Sequence, residues 1–183
     1  MSVRVAISLQ TTIVLCFPSI GYNDPDRTGF SVLNTLTGGY FSSRLMQNLR
    51  ERQGLTYGVS SSSTFFGNQS VFSISSDVNA GATKRAVDAC FEELQRLQDE
   101  PVGDDELQMV KNYMFGQQLR SADTSVNVMQ KFAYWHRFGL DETEMFRYLT
   151  EVQEITSSKI KNLAKVNFLY NKFTQISVGN CLA

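Results

Sequence analysis

Histidine is almost missing from this 183-residue chain, in which His136 is the only one. A zinc site of the HxxEH or HExxH kind needs two imidazoles and a carboxylate on one helical face, so this chain builds neither. Cysteine is scarce too. The three cysteines, Cys16, Cys90 and Cys181, lie far apart, which suits neither a disulfide framework nor a paired-thiolate metal site; they read as small, mostly buried apolar residues. No charge of one sign dominates, since 17 Lys and Arg oppose 18 Asp and Glu. No basic run is present to track phosphates, which argues against a nucleic-acid partner. Long hydrophobic runs are lacking: the stretch Ile13 to Cys16 behind Arg4 is too short for a signal peptide, and no segment reaches membrane-spanning length. The glycines form neither a GxGxxG fingerprint nor a phosphate-binding loop. A soluble protein, cytoplasmic or periplasmic, is the expectation.

What is present suffices for one domain, with 42% apolar residues. Residues 12–17 are rich in strand formers and stop at Pro18, followed by the turn-dense segment Gly21-Tyr22-Asn23-Asp24-Pro25-Asp26. Phe30, Leu33 and Leu36 then recur at helical spacing until the Gly38-Gly39 doublet. A short helix ending at Gly54 places Phe41, Leu45 and Leu49 on one face, with Gln47, Arg50 and Glu51 pointing elsewhere. From Leu55 the period changes, and Gly67-Asn68 marks a hairpin turn. In the return strand Phe72, Ile74 and Val78 share one face while Ser73, Ser75 and Asp77 share the other, as in a sheet covered on one side only.

The remainder reads as helical. Ala86, Val87, Cys90, Phe91, Leu94 and Leu97 form an apolar stripe over 82–97, which Pro101 ends. Gly103 as a cap, Glu106 three residues later and Val102 set against Leu107 give the next helix a capping box and staple. Further helices are predicted over 124–138, 141–153 and 157–168, and a last strand over 174–178. This order predicts an α+β fold, a two-layer α/β sandwich whose mainly antiparallel sheet is covered by helices. His136 falls on a helix where Val128, Met129, Phe132 and Trp135 look like core, and it reads as a structural histidine rather than a catalytic base.

One segment carries more information than the rest: residues 38–60 follow the pattern GG-x-x-SSRL-x-x-x-LRE-x-x-GL-x-Y. This pattern resembles the pitrilysin/insulinase-type zinc metallopeptidase family (inverzincins), in the C-terminal domain type that carries no zinc. Phe17-Pro18 and Asp24-Pro25-Asp26 before it, and Asp105-Glu106-Leu107 after it, resemble the family's flanking elements. The likeness extends from about Gln10 to about Phe168.

The resemblance implies a fold like the metallohydrolase-like domain of processing peptidases. It implies that residues 1–183 are a single non-zinc domain, a fragment or subunit of a larger peptidase. No cofactor is expected in this chain; zinc is expected in a partner domain bearing HxxEH, on the same polypeptide or on a separate subunit. Arg50 and Tyr57 match the family's R-x6-Y pair opposite the zinc. Arg50 would bind the backbone carbonyls of a peptide substrate through its forked donors. Tyr57 would bind substrate as well and act as an auxiliary catalytic residue, donating a hydrogen bond to the oxyanion formed during hydrolysis. Arg52 reads as solvated, and Arg44 as a fold-supporting residue. Alone, the chain is expected to be inactive and to self-associate as a homodimer. The competing expectation is a purely structural or protein-binding module in a larger complex.

Overall fold

The computed structural model describes residues 2–4, 9–67, 69–79 and 81–179. Five strands make one sheet: β1 (Ser2–Arg4), β2 (Gln10–Ser19), β3 (Thr56–Phe66), β4 (Gln69–Asn79) and β5 (Thr174–Gly179), in the order β1-β5-β2-β4-β3. Only the β1·β5 pairing is parallel among these strands; β2·β4, β2·β5 and β3·β4 are antiparallel. The mainly antiparallel α+β sheet expected from the sequence is therefore present, with β1 as an added edge the sequence reading did not contain. Six α-helices accompany it among the described residues: α1 (Arg27–Asn34), α2 (Thr83–Asp99), α3 (Asp104–Arg120), α4 (Ser125–His136), α5 (Glu144–Glu154) and α6 (Ser157–Asn167). The hairpin turn has Gly67 at φ +60°, the left-handed region where glycine is unstrained. Asn68 and Cys181 lie outside the described residues.

Period-two alternation decides which face is buried. Ile13, Leu15 and Phe17 of β2 and Phe72 and Ile74 of β4 point to one side, where Leu33, Leu36, Leu94, Leu97 and Ile160 meet them from the helices. Phe72 lies at the centre, with ring centroids 5.3 Å from Phe17, 5.4 Å from Phe168 and 5.7 Å from Phe30. Each buried side chain of this size stabilises the fold by about 1.5–3 kcal/mol. The opposite face carries Thr12, Ser73, Ser75 and Asp77 and has no helical cover among the described residues; there Thr12 Oγ1 donates to Asp77 Oδ1 across the strands, at 2.5 Å. Cys90 belongs to the core, whereas Cys16 is half-exposed on this open face.

The outer edge strand β3 is not left bare. After α1 the chain widens into a π turn, Thr35–Gly39, and Gly38 lies so close to β3 that a Cβ there would stand 2.7 Å from the Ser61 nitrogen. The Val59 N–H donates to Met46 Sδ, 3.4 Å away. Helices thus cover the midpoint of an edge that would otherwise invite another strand. The glycine doublet therefore does more than end a helix: it permits a close approach.

Two local expectations are corrected. The α3 N-terminus has Gly103 at its cap and buries Val102 and Leu107 as a staple would, but no side chain caps it. Glu106 turns away to Arg44 instead, because a bidentate ion pair outweighs a single backbone N–H. In α4 only Trp135 is buried; Met129 and Phe132 are exposed, Val128 is half-buried, and His136 is exposed rather than a core histidine. The helical period was right, but α4 packs on the body through Trp135 and through Tyr134, whose ring lies 5.4 Å from that of Tyr22, rather than by the predicted stripe.

Candidate functional site

The segment between α1 and β3 carries both side chains singled out in the sequence, Arg50 and, at the start of β3, Tyr57. After Tyr40 the chain turns, and Phe41 stands exposed while Leu45 and Leu49 of the following helix are fully buried. Phe41 was expected on that buried face and is not there. The helix continues as a π helix, Met46–Arg52, a wide-turn form that recurs at functional sites. Its end is tied to α2 through a polar chain. Gln53 Nε2 donates to Asn48 Oδ1 (2.8 Å), and Asn48 Nδ2 donates to the buried carboxylate of Glu93 (2.7 Å), which also receives Arg96 Nη1 (3.1 Å). A buried carboxylate needs such partners, since leaving it unpaired would be costly.

The chain then reverses at Gly54, whose φ of +60° calls for glycine. The Gly54 N–H donates to the Arg50 carbonyl (3.2 Å) and the Leu55 N–H to the Leu49 carbonyl (2.9 Å). The Arg50 backbone is thereby locked to the turn, while its guanidinium carbon lies 4.7 Å from the centre of the Phe41 ring.

Tyr57 follows on a β-bulge. Thr56 pairs with Val78 and Val59 with Ser76, so Tyr57 and Gly58 together oppose one residue, Asp77. Buried hydroxyls hold the bulge: Thr56 Oγ1 accepts from the Gly58 N–H (3.0 Å) and reaches the Asp77 carbonyl (2.6 Å), while Ser76 Oγ donates to the Gly58 carbonyl (2.9 Å). A bulge re-aims a side chain, and such bulges favour the neighbourhood of active sites. Here the result is a tyrosine that is 84% exposed between buried Thr56 and Val59.

The two expected site residues, Arg50 and Tyr57, therefore flank one turn, Arg50 half-buried and Tyr57 in solvent. Neither lines the cavity of about 590 Å³ that lies between α2 and residues 168–171. The pair stands at the surface rather than in an enclosed pocket.

Arg44 has a different role. Its Nε and Nη2 donate to the two oxygens of Glu106 at 2.9 and 2.8 Å, and that hydrogen bonding holds its pKa above the ordinary guanidinium value. It serves the fold, as expected, and Arg52 is exposed.

The residues present do not fit a zinc ion. His136 is exposed at the end of α4, and among the described residues no three or more His, Cys, Asp or Glu side chains converge as ligands. No helix among them is long and apolar enough to cross a membrane. Sequence reasoning missed Phe41 as the neighbour of Arg50 and missed the Thr56–Ser76 support of the bulge. The Gly58 that follows Tyr57 was the available signal, since glycine inside a strand often marks a bulge.

Residues 2–114 match the family model described as the peptidase M16 inactive domain. A curated relative, an uncharacterized zinc protease of Streptomyces coelicolor, is 23% identical over 156 residues, 85% of this chain and 34% of that protein. The chain thus spans about a third of the length of the curated relatives it matches. A solved peptidase M16 inactive domain from Pseudomonas fluorescens has a TM-score of 0.90 at 23% identity, covering 100% of this chain and 43% of that one. A chain of complex III from Candida albicans has a TM-score of 0.84 at 14% identity, covering 100% of this chain and 46% of that one. At such identities the two structures establish the fold alone.

Proposed function

Because the chain belongs to the peptidase M16 inactive-domain family, we propose that it is the non-catalytic component of a zinc metalloendopeptidase, facing a companion domain that bears HxxEH and holds the zinc. In this reading residues 1–183 are one domain, a fragment or subunit of the larger enzyme. Arg50 offers its guanidinium donors to the backbone carbonyls of an extended peptide, gripping it without reading its side chains. Tyr57 offers its hydroxyl to the carbonyl oxygen that gains negative charge during hydrolysis, an interaction stronger in the transition state than in the ground state. The observation that carries the reading is Tyr57 itself: a large aromatic side chain, 84% exposed, raised on a bulge that buried hydroxyls maintain. Such a side chain adds nothing to this domain's core, and its value lies in what faces it.

A second reading, a structural or protein-binding module, is favoured by a different observation. Met109, Phe115 and Leu119 on α3 and Val126, Met129 and Phe132 on α4 are exposed, and the two helices touch where Lys131 Nζ reaches the Gln118 carbonyl, 3.5 Å away. Exposed apolar surface of this kind marks interaction sites, and a companion domain or a second copy of this chain would cover it.

Isolation of the native protein from its own cells, with intact mass and partners read by mass spectrometry, separates the two. An HxxEH sequence in the same polypeptide or in a tight partner is the result the peptidase reading expects. A 183-residue product without such a partner overturns it in favour of the module.

A further inference from the structure

Tyr40 and Phe41 are neighbouring aromatics with opposite fates. Tyr40 is half-buried against Tyr113, with ring centroids 5.2 Å apart. Phe41 is 64% exposed, and the group over its ring is the Arg50 guanidinium. An exposed phenylalanine on a turn adds little to the core, so its placement calls for another account.

The turn that carries it is fixed at several points. The Ser43 N–H donates to the Tyr40 carbonyl (3.1 Å), the Gln47 N–H to the Ser43 carbonyl (2.9 Å), and Gln47 Nε2 to the Ser42 carbonyl (2.9 Å). Phe41 therefore projects from a braced loop toward the last turn of the π helix. Arg50, by contrast, has no other restraint on its charge: among the described residues its side chain makes no salt bridge and no hydrogen bond. A carboxylate in this place would hold the guanidinium by occupying its N–H donors. An aromatic face holds it through the ring quadrupole. The forked donors remain free for peptide carbonyls.

Resting on the reading of Arg50 as a peptide-backbone clamp, we infer that Phe41 is its positioning residue, an aromatic platform that pre-orients the guanidinium while leaving its donors unpaired. Phe41 need not touch the reacting atoms. It narrows the orientations Arg50 samples before peptide arrives, so less freedom is lost on binding.

The test is read on the side chain, in the full 183-residue chain with 15N-labelled arginine. The Arg50 Nε–Hε resonance is assigned by its disappearance in Arg50→Lys. The native chain is expected to show it displaced upfield by the ring current of Phe41, Phe41→Leu to return it to the position of free arginine, and Phe41→Trp to displace it again. Titration with an unstructured peptide of alternating Ala and Ser is expected to give about two- to fivefold weaker affinity for Phe41→Leu, the scale of an exposed cation–π contact, and native affinity for Phe41→Trp. An Arg50 resonance that does not move between the native chain and Phe41→Leu overturns the inference. So does a native affinity in Phe41→Leu when Arg50→Lys binds weakly. Native affinity in Arg50→Lys is the distinct outcome that removes the peptide-clamp reading, and this inference with it.

Discussion

Arg44 and Glu106, 62 positions apart in the chain, meet in a fork of two hydrogen bonds, Nε to Oε1 at 2.9 Å and Nη2 to Oε2 at 2.8 Å. The pair ties the segment leading to Arg50 to the first turn of α3. The third nitrogen of Arg44, Nη1, is buried without a partner, so the Glu106 carboxylate alone holds this guanidinium.

The first prediction concerns this fork. Glu106→Gln leaves a half-buried guanidinium facing a neutral amide and is expected to lower stability by about 2 kcal/mol, the scale of a hydrogen bond to a charged group. A urea titration reads it as a lower midpoint at unchanged slope. An unshifted midpoint would show that Arg44 is indifferent to its partner's charge.

The second concerns the approach of the π turn after α1 to the sheet edge. In Gly38→Ala the new methyl would stand 2.7 Å from the Ser61 nitrogen and 2.8 Å from its hydroxyl, while a Cβ at Gly58 meets nothing within 4 Å. Gly38→Ala is expected to destabilise by about 1–3 kcal/mol, as overpacking does, and Gly58→Ala to leave stability nearly unchanged. Thermal unfolding of the two variants side by side decides it; equal melting temperatures would contradict the close contact.

The third uses the thiols. Burial, assisted by Glu93, pushes the Cys90 pKa up to about 12, from an ordinary value of 9.0. The unfolded chain therefore ionises this thiol first. Its contribution to stability is fully present below about pH 9 and is lost as pH rises toward 12. Alkylation near pH 8 followed by peptide mapping is expected to label half-exposed Cys16 and spare Cys90. Labelling of Cys90 in the folded chain would contradict its place in the core.

Much of this architecture could be read from the chain because it depends on local period. The alternation through Phe72, Ile74 and Val78 fixed the buried face of β4, and the stripe through Ala86, Cys90, Leu94 and Leu97 fixed that of α2. What could not be read depended on distant partners. Glu106 matched a capping box, yet its carboxylate answers to Arg44 from another part of the chain. Period alone identified α4 as helical but could not say that Met129 and Phe132 would stay exposed, because burial belongs to the packing of the whole. The same holds at the candidate site. Arg50 and Tyr57 came from a motif, but the bulge under Tyr57 needs Ser76 on the adjacent strand, and Phe41 beneath Arg50 resembled a core residue.

The central claim is that Tyr57 serves a reaction carried out by a companion zinc domain. The most direct test is the turnover of Tyr57→Phe in the complete peptidase that contains this chain, with zinc content measured in the same samples. The account predicts kcat lower by about a hundredfold, the cost of one oxyanion donor, at unchanged zinc content. An unchanged kcat would contradict it and leave the domain a scaffold.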